Sequence, residues 1–313
     1  MPTIAVLGAG LMGHGIAQVF AAAGHAVRIF DQDPAVLASA PGRIRANLGP
    51  FLELGLMTPD QVEPLLARIQ PCPDLASLCA GCDLVIEAIS ENLELKRRVF
   101  AQVEALAPRE AILASNTSAI SIGLIAEALT RPQRMLGAHF WNPPQVVPCV
   151  EVIEAPRTDP AVADQVADLL AGAGKRPVRV RKDIPGFLGN RMQHALWREA
   201  IALVQAGVAS PEDVDAVVRL GFGLRLAFLG PLATADLAGL DLTCTIHADL
   251  LKHLDRSQGP APILAQKVAE GRLGAKSGQG FHAWPPERLK AVVQSRDKVL
   301  LRILREALPA DAQ

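Results

Sequence analysis

Residues 3–31 read TIAVLGAGLMGHGIAQVFAAAGHAVRIFD, and this stretch decides the fold of the region that follows it. Its first apolar run, from Ile4 to Leu7, predicts a buried strand. A glycine-rich turn, a helix of small residues and a second apolar run that ends at Asp31 come next. This order is typical of a βαβ unit that binds a dinucleotide, and an ordinary βαβ turn without a ligand is the alternative.

Each glycine of the turn has a separate physical role. Gly8 allows the tight turn, Gly10 lets the backbone approach a pyrophosphate, and Gly13 lets the helix pack closely on the strand. The free N–H groups at the start of the helix bind phosphate oxygens. We therefore expect the cofactor to contact the turn at Gly8, Gly10, Leu11, Met12 and Gly13.

Asp31 indicates which dinucleotide binds. It lies 18 residues after Gly13, where a carboxylate can bind the adenosine ribose hydroxyls and repel a 2′-phosphate. The next residues are Gln32 and Asp33, so no basic side chain follows directly. The sequence therefore favours NAD over NADP.

Length and composition limit the class of protein. A chain of 313 residues predicts two domains. The net charge of −1 gives no signal for a nucleic acid or a membrane surface as partner. The expected partner is a small-molecule substrate. No apolar run has transmembrane length, and the N-terminus leads directly into a strand without a signal peptide, so we expect a cytoplasmic protein.

The cysteines and the missing tyrosine exclude some chemistry. Cys79 and Cys82 have the spacing of a redox or zinc pair, but no second pair or nearby histidine completes a metal site. We predict reduced, half-buried thiols and no metal. The chain has no Tyr, which excludes the NAD-dependent dehydrogenases that use a Tyr–Lys pair.

The rest of the chain predicts an α/β domain followed by an all-α domain. Further strands are expected at residues 83–89, 111–115, 134–140, 146–153 and 177–181, with helices between most of them, as in a doubly wound sheet. The long excursion after Asp31 predicts an inserted helical hairpin. From residue 187 only helical patterns occur, at 187–207, after the N-cap Ser210, and at 231–253, 262–270 and 286–308. We predict domains at 1–183 and 184–313.

His139 is the best candidate for the base that takes a hydroxyl proton, because imidazole titrates near neutral pH. Glu151 lies 12 residues later on the next predicted strand. If the two strands pair, its carboxylate can hold one ring nitrogen and stabilise the imidazolium. The alternative is a structural histidine with no part in chemistry.

Other polar residues are predicted at the same strand ends. Ser118 and Asn142 can bind a carbonyl oxygen or the nicotinamide ribose, or they can cap turns. Asn190 can reach the site from the first turn of a long helix or bond only to that helix. Glu91 and Lys96 are expected near the nicotinamide, and a solvated salt-bridge face is their alternative.

These residues lie in motifs that resemble the L-3-hydroxyacyl-CoA dehydrogenase family: VLGAGLMGHGIA, IEAISENLELK, LASNTSAIS, GAHFWNPP with VEVI, DIPGFLGNRM and AKSGQGF. The resemblance implies a Rossmann domain, a helical substrate and dimerisation domain, and a homodimer. It also implies site roles. His139 and Glu151 would form the catalytic dyad, Ser118 and Asn190 would bind the reacting oxygen, and Asp31, Glu91 and Lys96 would contact NAD.

Two departures leave the substrate open. Fatty-acyl members typically have a lysine-rich helix after the second strand. Here residues 35–55 contain no lysine, and their only basic residues are Arg43 and Arg45. The segment GFGLRLAFLGP resembles the lambda-crystallin (L-gulonate 3-dehydrogenase) and L-carnitine dehydrogenase branch. Arg225 in that segment would clamp a free carboxylate, with a surface ion pair as the alternative.

The sequence therefore predicts an NAD-dependent oxidoreductase that acts on the 3-hydroxyl of an L-3-hydroxyacyl compound. A short acyl-CoA such as 3-hydroxybutyryl-CoA is the first candidate, and a free 3-hydroxy acid of the gulonate or carnitine kind is the second. A protein that binds NAD without turnover would not need the dyad. Lysine-based 3-hydroxyacid dehydrogenases are disfavoured, because residues 186–199 contain no lysine.

Overall fold

The computed structural model describes residues 1–307. The chain divides into two compact units, Met1–Arg191 and a second that begins at Met192. The first unit contains the sheet, and the regular elements in the described part of the second unit are all helices. The α/β sheet region followed by an all-α region, as predicted from the sequence, is confirmed.

The first unit is built on an eight-stranded sheet with the order β3-β2-β1-β4-β5-β6-β7-β8. β7 runs antiparallel to β6, and all other neighbours are parallel. The strands are β1 Thr3–Leu7, β2 Ala26–Phe30, β3 Ile69–Pro71, β4 Leu84–Glu87, β5 Ile112–Ser115, β6 Met135–Phe140, β7 Cys149–Ile153 and β8 Arg176–Val180.

Helices cover both faces of this sheet. Along β1, Ile4 and Val6 join one apolar cluster while Ala5 and Leu7 join the other, as the alternation of side chains in a strand requires. The helices are α1 Gly13–Ala22, α2 Pro34–Glu53, α3 Val62–Ala67, α4 Leu75–Cys79, α5 Leu93–Leu106, α6 Ile122–Ala126 and α7 Pro160–Gly172, with short 3₁₀ turns at Pro59–Gln61 and Pro132–Arg134. Between β2 and β3, α2 packs on α1 and α3.

The second unit differs from the sequence prediction in detail. Its helices are α8 Gly189–Gln205, which begins in the first unit, α9 Pro211–Leu220, α10 Phe222–Leu226, α11 Pro231–Ala238, α12 Leu240–Leu250, α13 Pro262–Ala269 and α14 Pro286–Ala307. The single helix expected at 231–253 is wrong, because Gly239 takes a φ of 97° and separates α11 from α12. The expected end of the last helix, residue 308, lies outside the described residues.

No helix within residues 1–307 is both long and apolar enough to cross a membrane by itself. One bent pair, Pro211–Leu226 with Pro231–Ala238, meets the length and composition requirement jointly.

A buried lysine holds the connection between β6 and β7. The Nζ of Lys175 donates to the carbonyl oxygens of Pro144 at 2.5 Å and Val147 at 2.9 Å. Burial lowers the pKa of Lys175 to about 8. The connection it holds also contains Asn142, one of the predicted site residues.

We predict that Lys175 makes stability rise with pH above about 8. The folded-state pKa lies below the ordinary lysine value, so the unfolded chain binds more protons between these two values. The difference in unfolding free energy between the wild type and Lys175→Met should therefore grow by about 2 kcal/mol in favour of the wild type from pH 8 to pH 10. Urea unfolding followed by circular dichroism at several pH values measures this free-energy difference. A difference that does not change with pH would contradict a lowered pKa for Lys175.

Candidate active site

His139 and Glu151 meet because β6 and β7 pair antiparallel with these two residues directly opposite each other. The His139 Nδ1 lies 2.8 Å from the Glu151 Oε2. Both residues are buried, with exposed fractions of 4% and 2%. The strand pairing on which the predicted dyad depends is thus present.

The second carboxylate oxygen of Glu151 is held by the backbone. Its Oε1 accepts hydrogen bonds from the N–H groups of Leu188 at 2.9 Å and Gly189 at 3.0 Å. These residues follow Phe187, a buried residue with a φ of 49°, in the left-handed region that non-glycine residues rarely adopt. Burial would raise the pKa of Glu151, but the hydrogen bonds from His139, Gly189 and Leu188 outweigh it and lower the pKa. The carboxylate is therefore ionised at neutral pH.

Two aromatic rings fix the position of the imidazole. The ring centroid of Trp141 lies 5.2 Å from that of His139, and the Phe187 centroid lies 5.9 Å from it. Trp141 also packs closely against Gly189, because a Cβ added to Gly189 would lie 2.1 Å from the Trp141 Cζ2. The sequence did not predict that Phe187 packs on His139 or that the Leu188 and Gly189 amides bind Glu151, although the glycines of the segment GFLG indicate an unusual backbone.

Ser118, Asn190 and Glu91 come together at the end of β5. The Glu91 Oε1 accepts hydrogen bonds from the Thr117 Oγ1 at 2.5 Å and from the N–H groups of Ser118 at 3.0 Å and Ala119 at 3.2 Å. Asn190 donates through Nδ2 to the Ser118 carbonyl oxygen at 2.7 Å. Asn190 therefore bonds to the segment after β5 and not only to its own helix.

Lys96 is buried and ion-paired on two sides. Its Nζ lies 2.6 Å from the Glu87 Oε1 and 3.4 Å from the Glu91 Oε2. The side chains of Lys96 and Glu87 are 1% and 0% exposed, so the solvated-face alternative is wrong for Lys96. The Ser115 Oγ donates to the other Glu87 oxygen at 2.6 Å. Sequence reasoning missed Glu87, whose signal is an acid at the end of a buried strand.

The glycine-rich turn has the space that a pyrophosphate needs. A Cβ on Gly8 would lie 2.6 Å from the Ala88 carbonyl oxygen, and one on Gly13 would lie 1.7 Å from the Gly8 oxygen, so both positions exclude a side chain. A Cβ on Gly10 would meet no atom within 4 Å. The turn is thus closed toward the protein and open in front of Gly10, which fits a bound dinucleotide.

Asp31 lies beside this turn at the end of β2. Its Oδ2 accepts a hydrogen bond from the Ala9 N–H at 2.8 Å. Leu11 is exposed and Met12 is half-buried on the outer side of the turn. These positions fit the adenosine side of a bound NAD.

Asn142 and Arg225 have less structural support. Asn142 is exposed just after β6. Arg225 lies in α10 of the second unit, is exposed, and forms no ion pair with any carboxylate of residues 1–307. The surface ion pair considered for Arg225 is therefore absent from the described part of the chain.

The CxxC cysteines are more deeply buried than expected. Cys79 and Cys82 are free thiols with exposed fractions of 0% and 2%. Burial raises the pKa of Cys79 to about 12 and that of Cys82 to about 11. Both thiols are therefore protonated at neutral pH, which is typical of inert core cysteines. Within residues 1–307 no group of three or more His, Cys, Asp or Glu side chains is arranged to hold a metal ion.

Two family matches cover most of the chain. Residues 3–184 match the NAD binding domain of 3-hydroxyacyl-CoA dehydrogenase, and residues 186–284 match the C-terminal domain of the same enzymes. The chain belongs to the 3-hydroxyacyl-CoA dehydrogenase family. It is therefore an NAD-dependent oxidoreductase that acts on a CH–OH group.

Individual relatives of this dehydrogenase differ in substrate. The 5-formyl-3-hydroxy-2-methylpyridine 4-carboxylate 5-dehydrogenase of Mesorhizobium japonicum is 35% identical over 302 residues, which are 96% of this chain and 97% of that protein. A probable 3-hydroxybutyryl-CoA dehydrogenase of Deinococcus radiodurans is 41% identical over 280 residues, 89% of this chain and 99% of that protein.

A crystal structure of a 5-formyl-3-hydroxy-2-methylpyridine 4-carboxylic acid 5-dehydrogenase, an NAD⁺-dependent dismutase, superposes on this dehydrogenase with a TM-score of 0.91. The sequences are 35% identical, and the match covers 97% of this chain and 98% of the other.

We predict that Gly189→Ala lowers kcat by about tenfold or more, because the new methyl group displaces Trp141 from the imidazole and moves the Glu151 hydrogen bonds. Gly172→Ala is the matched control, since a Cβ there meets no atom within 4 Å. Steady-state kinetics and melting temperatures separate the two variants. Equal kcat values in both variants would contradict the proposed role of Gly189.

Proposed function

We propose that His139 is the general base that takes the proton of a substrate hydroxyl. The observation that carries this proposal is the buried contact between the His139 Nδ1 and the Glu151 Oε2. With the Nδ1 proton donated to Glu151, the opposite nitrogen, Nε2, has a lone pair free to accept the hydroxyl proton. The ionised carboxylate then stabilises the imidazolium.

Bound NAD supplies the hydride acceptor for the same oxidation. We propose that Ser118 and Asn190 bind the reacting oxygen. Asn142 is proposed to contact the nicotinamide ribose or the substrate. Glu91 contributes by ordering the backbone of Ser118 and by lying at the cofactor side of β5. Lys96 is buried, so its effect on the cofactor passes through Glu91.

The first candidate substrate is a short-chain L-3-hydroxyacyl-CoA such as 3-hydroxybutyryl-CoA. The 41% identity to a probable 3-hydroxybutyryl-CoA dehydrogenase supports this class. In this proposal the 3-hydroxyl is oxidised to a 3-keto group, and the thioester is unchanged.

A free carboxylic acid is the second candidate, and a specific observation favours it. The positive charge that α2 offers to a CoA phosphate is small, because Arg43 bonds to backbone carbonyls and the exposed Arg45 pairs with Glu63 at 2.6 Å. The relative with a TM-score of 0.91 acts on a pyridine carboxylate. Arg225, exposed and without an ion pair within residues 1–307, is the residue proposed to bind the carboxylate.

We also propose that the protein is a cytoplasmic homodimer. The resemblance to the family supports this. The second unit also exposes large apolar side chains such as Leu220, Leu232 and Leu237, and a second copy of the chain would cover them.

Glu151→Gln tests the role of the dyad. The variant keeps the shape of the side chain but removes the charge that stabilises the imidazolium, so kcat should fall about 100-fold. Glu154→Gln is the control, because Glu154 pairs with Arg179 and is not part of the site. A Glu151→Gln enzyme that keeps more than a third of wild-type kcat would show that the proposed base does not depend on this carboxylate.

Parallel assays with acetoacetyl-CoA plus NADH and with L-gulonate plus NAD separate the two substrate classes. If the free acid is the substrate, Arg225→Ala should raise its KM about tenfold or more, through loss of a charge-assisted hydrogen bond. Arg219→Ala, a change at an exposed arginine of the neighbouring helix α9, is the control. Unchanged KM for the free acid in Arg225→Ala would remove the proposed carboxylate contact.

A further inference from the structure

Arg43 reaches from α2 to the carbonyl side of the glycine-rich turn. Its Nη2 donates to the Ala9 carbonyl oxygen at 2.6 Å, and its Nη1 donates to the Gly10 carbonyl oxygen at 3.2 Å. Nη2 also donates to the Val36 carbonyl oxygen at 3.0 Å, which joins the start of α2 to the turn. One guanidinium therefore holds two successive peptide groups of the turn.

Because peptide bonds are planar, the contacts that hold the two carbonyl groups also determine the direction of the N–H groups of Gly10 and Leu11. In a trans peptide the carbonyl of one residue and the N–H of the next point in opposite directions. With the carbonyls of Ala9 and Gly10 held toward Arg43, the N–H groups of Gly10 and Leu11 must point away from it. Neither N–H has an acceptor within residues 1–307. Both groups are thus directed outward and are available to phosphate oxygens.

A histidine at the start of α1 supports the same arrangement. The His14 Nδ1 lies 2.6 Å from the Gly10 carbonyl oxygen and 3.2 Å from the Arg43 Nη1. Burial lowers the pKa of His14, the hydrogen bond to Gly10 opposes this shift, and the nearby Arg43 charge adds to it, so that the pKa is lowered overall. His14 is therefore neutral at neutral pH and donates its Nδ1–H to Gly10, while Arg43 supplies the positive charge.

The position of Arg43 is unfavourable for the side chain itself. Its Nε is buried and has no hydrogen-bond partner among the described residues. An unpaired buried donor costs stability. Arg45, only two residues away on α2, is exposed and paired with Glu63. The two arginines therefore have different environments, so a substitution of Arg45 can serve as the control for the same substitution of Arg43.

We propose that Arg43 is a positioning residue for the NAD pyrophosphate. It holds the turn so that the N–H groups of Gly10 and Leu11 face the phosphates, and it places a positive charge behind a doubly negative group. This role rests on NAD binding by the family and is independent of the proposed substrate.

Arg43→Met tests this role by direct binding to the purified full-length protein. Titration calorimetry should give a Kd for NAD about tenfold higher than in the wild type, and ADP-ribose, which has the same pyrophosphate, should lose the same factor. Adenosine has no phosphate, so its affinity, measured by competition with NADH fluorescence, should be unchanged. KM for NAD should rise far more than kcat falls. Arg45→Met should bind all three ligands as the wild type does.

Each outcome decides the proposal. Equal losses for NAD, ADP-ribose and adenosine would show a general disturbance of the site and would overturn it, as would a Kd for NAD within twofold of wild type. If Arg43→Met does not fold, Arg43→Gln removes the charge and one of the two N–H donor arms, and the same selective loss is expected. Normal NAD binding by a folded Arg43→Gln would also overturn the proposal.

Discussion

The carboxylate of Glu151 is the buried charge on which the geometry of the site depends. An ionised group in a protein interior is costly unless its oxygens are hydrogen-bonded. Here one oxygen accepts from an imidazole and the other from two backbone amides. The antiparallel register of β6 and β7 delivers the first contact, and the left-handed backbone of Phe187 delivers the second. A shift in either element leaves one oxygen of this buried carboxylate without its partner, so the position of each element is constrained by the same charge.

A second set of charges, of which Lys96 and Glu87 are buried, organises the neighbouring strand ends. Lys96 lies between Glu87 and Glu91, and Glu91 in turn holds the backbone after β5 at Ser118. One ammonium facing two carboxylates leaves a net negative charge, which the Ser115 hydroxyl and the backbone amides stabilise. The backbone of Ser118 is therefore positioned by a network that runs from the buried Glu87–Lys96 pair to the exposed Glu91. This explains why a helix that reads as a charged surface helix contains a lysine that is 1% exposed.

The features that depend on residues close together in the sequence were predicted correctly. The β1–turn–α1–β2 unit has a strand, three placed glycines and a terminal acid within 29 residues, and the structure has each part. The His139–Glu151 contact was predicted on the condition that the two strands pair, and the antiparallel register of β6 and β7 meets that condition. β3 was not predicted, since only Ile69 of its three residues is buried and gives an apolar signal. The Leu188 and Gly189 amides were missed because their partner lies 37 and 38 residues away in sequence.

The arginines of α2 show why a charge count does not by itself predict a binding surface. From the sequence, Arg43 and Arg45 are two positive charges on a helix near the cofactor. In the structure, Arg43 bonds to three backbone carbonyls and Arg45 to a glutamate. A guanidinium that already donates to carbonyl oxygens must give up those bonds before it can bind an external phosphate, and the turn it supports would lose its orientation. The charge of Arg43 is thus directed inward, to the turn, and that of Arg45 is offset by Glu63 at the surface. The free-acid proposal therefore places recognition of the substrate carboxylate elsewhere in the chain, at Arg225, which forms no ion pair within residues 1–307.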